Sequence, residues 1–205
     1  MTLSQIFQLL IQLFLLIGLL SAAVTFLNQG LVSNQRHKLM YFISFILFGM
    51  LVIIYMFQSI PQINILNDYD IIVDWINIFA ITTSLSAIGL MIRESKPKIA
   101  RAPTTLAFLP FLILLVYPFV AETLVLKQIL FVLLEVGGIT IAILMYTLHA
   151  SKDSRYFHVV TALIITLIVI FTNYFITNGV LLQYLLLSVS ISLVANIYRK
   201  QQLQF

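Results

Sequence analysis

Seven carboxylates are the side chains of this 205-residue sequence best suited by type to do chemistry, and what they could do depends on how deep each one sits. Asp68 and Asp70 fall in a polar break. Asp74 opens one long apolar run, Glu122 closes another, and Glu135 lies about two turns inside a third. At a rise of about 1.5 Å per residue, Glu135 is roughly 10 Å below the start of its run. An ionised group at the centre of a bilayer costs on the order of 2.5–3.5 kcal/mol, so Glu135 must face the interior of a bundle and find a partner, or carry a proton. Asn77, Gln8, Gln12 and Asn173 are the polar residues whose depth and face suit that partnership. Together Glu135, Asp74, Asn77, Glu122, Gln8, Gln12 and Asn173 form the candidate ligand- or ion-binding set.

The same residues fall on stripes of small side chains. Glu135, Gly138, Ala142 and His149 share one helical face, as do Asp74, Asn77, Ala80, Ser84 and Ala87, and as do Gln8, Gln12, Gly18, Ala22 and Thr25. Spacings of three, four and seven put residues on one side of a helix, and small residues there let helices approach closely. The three stripes therefore predict that the first, third and fifth runs pack together or share a cavity. The second run carries Tyr41, Phe42, Phe45, Phe48 and Phe57 and few polar groups, which reads as lipid-facing for much of its circumference. Each feature also has a purely structural explanation: stripes are packing seams, Asp74 beside Trp75 is an interfacial anchor, and Glu122 reaches towards Lys127.

Other chemistries lack their parts. There is no cysteine, which excludes disulfides, thiolate metal sites and cysteine nucleophiles. His37, His149 and His158 all lie near the basic, cytoplasmic ends of the second, fifth and sixth runs, so no pair faces across a haem at mid-depth and no serine has a histidine base at its depth. The expectation is therefore no enzyme, no catalytic residues, no metal and no cofactor.

The elements that position these residues follow from composition. The chain is 61% hydrophobic and 9% charged, with a mean hydropathy of +1.09, far from the roughly 25% charge of soluble domains. Apolar runs of spanning length recur at Ile6–Leu27, Leu39–Phe57, Ile71–Ile92, Thr105–Leu124, Gln128–Leu148, Phe157–Ile176 and Val180–Tyr198. Backbone polar groups have no partners in hydrocarbon, so these runs must be helices. Residues 1–205 thus read as a single all-α integral membrane domain, a seven-transmembrane-helix bundle without a soluble domain. The breaks are Asn28-Gln29-Gly30, Pro61, Asp68 and Asp70, Pro97 and Pro103, Ser151 to Ser154, and Asn178-Gly179.

Of the eleven Lys and Arg, all but Lys127 follow the first, third, fifth or seventh run. An excess of basic residues marks cytoplasmic loops, which puts the N-terminus outside and the C-terminus in the cytoplasm. No cation precedes the first run, so it is expected to persist as a span and not to be cleaved as a signal. The net charge of +4 reflects sidedness, and cations scattered over four segments give no nucleic-acid site.

Two stretches resemble microbial rhodopsins: Leu134-Glu135-Val136-Gly137-Gly138 is similar to the carboxylate-bearing segment of their last helix, and Tyr117-Pro118 to an aromatic-proline pair in the helix before it. Where the family holds retinal on a lysine, this chain has Ile139, and the matching stretches fall on helices of different number. The resemblance therefore implies no retinal here and assigns no family.

The functional expectation is a multi-pass sensing or accessory module, binding a small or lipidic ligand from the outer side or serving as a subunit of a larger membrane complex. The alternative is a carrier or channel for protons, cations or a small solute, using Glu135, Asp74 and Glu122. Its partners would be the bilayer and another membrane protein or a second copy, and its place a bacterial cytoplasmic (inner) membrane.

Overall fold

The computed structural model describes residues 3–59, 69–95, 101, 103–151, 153–154, 156–175, 186–187, 189 and 191. In chain order these form helices α1 (Leu3–Ser33), α2 (Arg36–Gln58) and α3 (Tyr69–Ser95), a 3-10 segment η1 (Thr104–Leu112), and helices α4 (Ile113–Ala121), α5 (Leu124–Ala150) and α6 (Tyr156–Phe175). Five stretches are long and apolar enough to cross a membrane: Gln5–Ser33, Arg36–Gln58, Ile71–Ser95, Thr104–Ala121 and Leu124–Ala150. The sixth expected span, Phe157–Ile176, falls on α6, whose described apolar stretch Tyr156–Thr172 is shorter than these five. The seventh, Val180–Tyr198, lies outside the described residues apart from Leu186, Leu187, Val189 and Ile191.

Two boundaries differ from the sequence reading. α1 runs on through Asn28-Gln29-Gly30, because Gly30 sits where Leu39 of α2 presses close; a Cβ there would come within 2.9 Å of Leu39 Cδ2. The turn comes instead at Asn34, whose φ of 50° is the left-handed conformation that asparagine tolerates better than most residues. The fourth run is not one α-helix. The chain winds as a 3-10 helix over Thr104–Leu112, with Pro110 inside it, and as α-helix from Ile113, with Pro118 inside that.

Cross-helix contacts fix an up-and-down order. Gln8 near the start of α1 donates to Ser59 at the end of α2; His37 at the start of α2 meets Glu94 at the end of α3. Two ends can thus be distinguished: an N-terminal end, where α1, α3 and α5 begin, and a basic end carrying Arg36, Lys38 and Arg93. α3 is the hub and packs on α2, η1, α4 and α5. Its Thr82 and Ser86 are fully buried, and Thr82 and Thr83 hydroxyls donate to the carbonyls of Ile78 and Phe79, which satisfies them inside the helix.

The expected grouping of the first, third and fifth runs is corrected in one respect. α3 does pack on α5, but among the described residues α1 touches neither. α2 lies between α1 and α3: the Ser44 hydroxyl donates to Ala80 O of α3 at 3.0 Å, and on another face Gly49 lies against Leu16 of α1, with Phe45 and Phe48 packed on the Leu15–Leu19–Val52 cluster. α2 is thus a packed middle helix. Ile191 packs over Gly18 of α1, and Leu187 and Ile191 join the cluster of Leu15, Leu19 and Val52 between α1 and α2. Large apolar side chains cover the outside, among them Phe14 at 68% exposure and Phe119 at 83%.

Candidate functional site

The seven predicted site residues divide among three places, and all those whose side chains are described lie in the N-terminal half of the bundle or near its middle. Asn173 lies in α6, and its side chain is outside the described residues.

The first place is an ion pair. Asp74, in the second turn of α3, accepts from Lys127 Nζ at 2.7 Å and from Tyr117 Oη at 3.0 Å on the same oxygen. The side chains of Lys127 and Asp74 are 23% and 21% exposed. Trp75 sets its ring edge-on to Tyr117 with centroids 5.0 Å apart. Beneath the pair, Tyr117, Ile78, Ile81 and Phe131 form a buried apolar cluster. One carboxylate therefore ties α3, α4 and α5 together over a hydrophobic plug. The expected Glu122–Lys127 contact is corrected: Lys127 is taken by Asp74, and Glu122 is exposed just past α4. The sequence carried a signal for this, because Lys127 is the single cation on the side where the acids gather.

The second place is Glu135, half-buried on α5 and engaged with its surroundings. Gly138, one turn along, is buried against Leu85 of α3, and Gly137 has open space where a side chain would be. Asn77 of α3 is half-buried at the level between Asp74 and the plug.

The third place is a polar pocket between the first turns of α1 and the last turns of α2. It has a volume of about 370 Å³ and is lined by Gln5, Gln8, Gln12, Tyr55, Gln58 and Ser59. Gln5, Gln8 and Gln12 share one face of α1 at spacings of three and four. Gln8 Nε2 donates to Ser59 Oγ at 3.3 Å, and Ser59 Oγ donates in turn to Tyr55 O at 2.9 Å. Gln12 is wholly buried, and neither its Oε1 nor its Nε2 has a hydrogen-bond partner among the described residues. Each unmet buried polar group of this kind costs about 1–3 kcal/mol. One turn deeper, Leu15, Leu19 and Val52 close the pocket from below, with Leu16, Phe45, Phe48 and Met56 packed around them. Sequence reasoning found Gln8 and Gln12 but assigned them to Glu135; the helix pairing puts them with Gln58 and Ser59 instead.

A further polar group at the basic end lay outside the predicted set. His37 Nδ1 meets Glu94 Oε2, and His149 contacts Ser95 Oγ through Nε2 and Met145 O through Nδ1, joining α2, α3 and α5. Among the described residues no three His, Asp or Glu side chains gather as metal ligands would.

Five long apolar helices and an apolar exterior define a multi-pass helical membrane protein. Comparison with known proteins adds no family to that class: no family model, no curated protein and no solved structure matches the chain.

Proposed function

We propose that the chain is a sensing or accessory module of the membrane, which takes a small ligand from the side where α1 begins and passes the event to another membrane chain or a second copy of itself. The observation that carries this is the glutamine-lined pocket with Leu15, Leu19 and Val52 packed beneath it. A carrier must open to both sides, whereas a ligand bound here leaves on the side from which it came. The transport alternative loses support from the same geometry, since Asp74 is held by Lys127 and Tyr117, and Ile78, Ile81 and Phe131 fill the space below. Connections such as Ala121 to Leu124 and Ala150 to Tyr156 are too short to hold an effector domain, which favours a partner as the recipient of the signal. The distribution of Lys and Arg supports an N-terminus outside and a C-terminus in the cytoplasm of a bacterial inner membrane.

The test is reconstitution into liposomes loaded with a pH-sensitive dye, under a pH gradient and a potassium diffusion potential. Proteoliposomes should leak protons and potassium no faster than empty ones. Native mass spectrometry of the gently extracted chain should find it in assemblies heavier than the 23.3 kDa monomer. A saturable, protein-dependent flux that Glu135→Gln abolishes would overturn the module in favour of a carrier.

A further inference from the structure

We infer that the pocket between α1 and α2 receives an uncharged, hydroxyl-rich ligand, either the sugar headgroup of a glycosylated lipid or a free polyol of the same chemistry. The inference rests on the one-sided pocket proposed above and names what fills it.

The lining sets the class of ligand. Of the six described residues that line it, four are glutamines and the other two carry hydroxyls. None of these described lining residues is charged, and the ion pair Asp74–Lys127 belongs to α3 and α5, with which α1 makes no contact among the described residues. An anion or cation entering here would give up its hydration without meeting an opposite charge. An apolar ligand would leave the amides unmet. A carboxamide presents an acceptor and a donor side by side, and two neighbouring hydroxyls can answer both at once.

Gln12 gives this its force. Its side chain is wholly buried at the deep end of the pocket, and among the described residues both its oxygen and its nitrogen lack a partner. Buried polar groups in folded proteins are nearly always satisfied, so a glutamine left open on both atoms beside a cavity is waiting for a molecule. The volume of about 370 Å³ lies within the roughly 300–1,000 Å³ of small-molecule sites. Location narrows the source. The pocket is built from the outermost turns of α1 and α2, from Gln5 to Gln12 and from Tyr55 to Ser59, which is the level at which headgroups lie beside a spanning helix.

The experiment uses the full chain in nanodiscs of phosphatidylcholine, with and without monoglucosyl diacylglycerol, and separately with methyl glucoside added in solution. The thermal unfolding midpoint and the lipid retained in native mass spectrometry are read for the parent, Gln12→Leu and Gln58→Ala. Glucolipid should raise the parent's midpoint and be retained, with the apparent affinity of Gln12→Leu weaker by about tenfold or more. Gln58→Ala, altered at the pocket's rim, should be weakened too, which covers the case in which the Gln12 variant assembles poorly. A response to glucolipid alone identifies a headgroup as the source, and a response to methyl glucoside as well identifies free polyols; both support the inference. It is overturned if sodium glutamate or choline chloride raises the midpoint while the glucosides do not, if both variants respond as the parent does, or if no probe shifts it. Failure of this kind without ion flux in liposomes leaves a one-sided module with a different ligand. Flux accompanied by glucoside binding removes the module and keeps the chemistry of the pocket.

Discussion

Breaking the Asp74–Lys127 pair one partner at a time should reveal it as a structural tie. At 2.7 Å, two unit charges in an effective dielectric of about 20 attract by about 6 kcal/mol, which is an upper bound. Desolvation of both groups takes back most of this. About a fifth of each side chain remains exposed, so the pair falls between buried pairs, where removing one partner costs about 3–5 kcal/mol, and exposed ones worth about 0–1. Asp74→Asn and Lys127→Met should each lower stability by about 2 kcal/mol. The double variant should lose about 2–3 kcal/mol in place of the additive 4, a coupling of about 1–2 kcal/mol. Tyr117→Phe, which removes the second donor to the same oxygen, should cost about 1.5 kcal/mol. Unfolding by sodium dodecyl sulfate in mixed micelles can be followed through Trp75, the one tryptophan of the chain, whose ring lies 5.0 Å from that of Tyr117. Single losses that add to within about 0.5 kcal/mol would refute the coupling and return Asp74 to the candidates for ion binding.

Glu135→Gln, which keeps the shape of the side chain, should assemble like the parent, whereas Glu135→Ala should lose about 1–3 kcal/mol; equal unfolding midpoints for the two would place the carboxyl off the packing face. Reporter fusions should give cytoplasmic character at the C-terminus and external character between α2 and α3, and finding both chain ends on one side would refute the odd number of spans.

Helix identity was legible because hydrocarbon leaves the backbone no alternative, and the five crossing stretches coincide with the apolar runs read from the sequence. Neighbour relations were less so. α2 looked lipid-facing because Phe42, Phe45, Phe48 and Phe57 dominate its composition, yet Ser44 and Gly49 decide where it packs. Periodicity shows that a face exists but not which helix meets it. For the same reason the stripe of Gln8 and Gln12 was visible while its partners Tyr55, Gln58 and Ser59, spread over the last turn of another helix, were not. Lys127 illustrates the limit at a single residue: proximity in sequence favoured Glu122, and the packing of α3 on α5 delivered Asp74.

The 3-10 winding of η1 bears on how the protein fits its membrane. Thr104–Ala121 has 18 residues, which as an α-helix throughout would measure about 27 Å. With its first half rising about 2.0 Å per residue, the stretch extends to about 31 Å, close to a hydrocarbon thickness of about 30 Å. The 3-10 winding thus lengthens a stretch that would otherwise fall short. Mismatch costs fractions of a kcal/mol per Å, so a thinner bilayer weakens the advantage of the extended winding and a thicker one increases it. Gly89 of α3 lies against the backbone of Ala107 within η1, where a Cβ would stand 3.4 Å from Ala107 Cα. A change in bilayer thickness that altered this winding would therefore reach the hub helix directly.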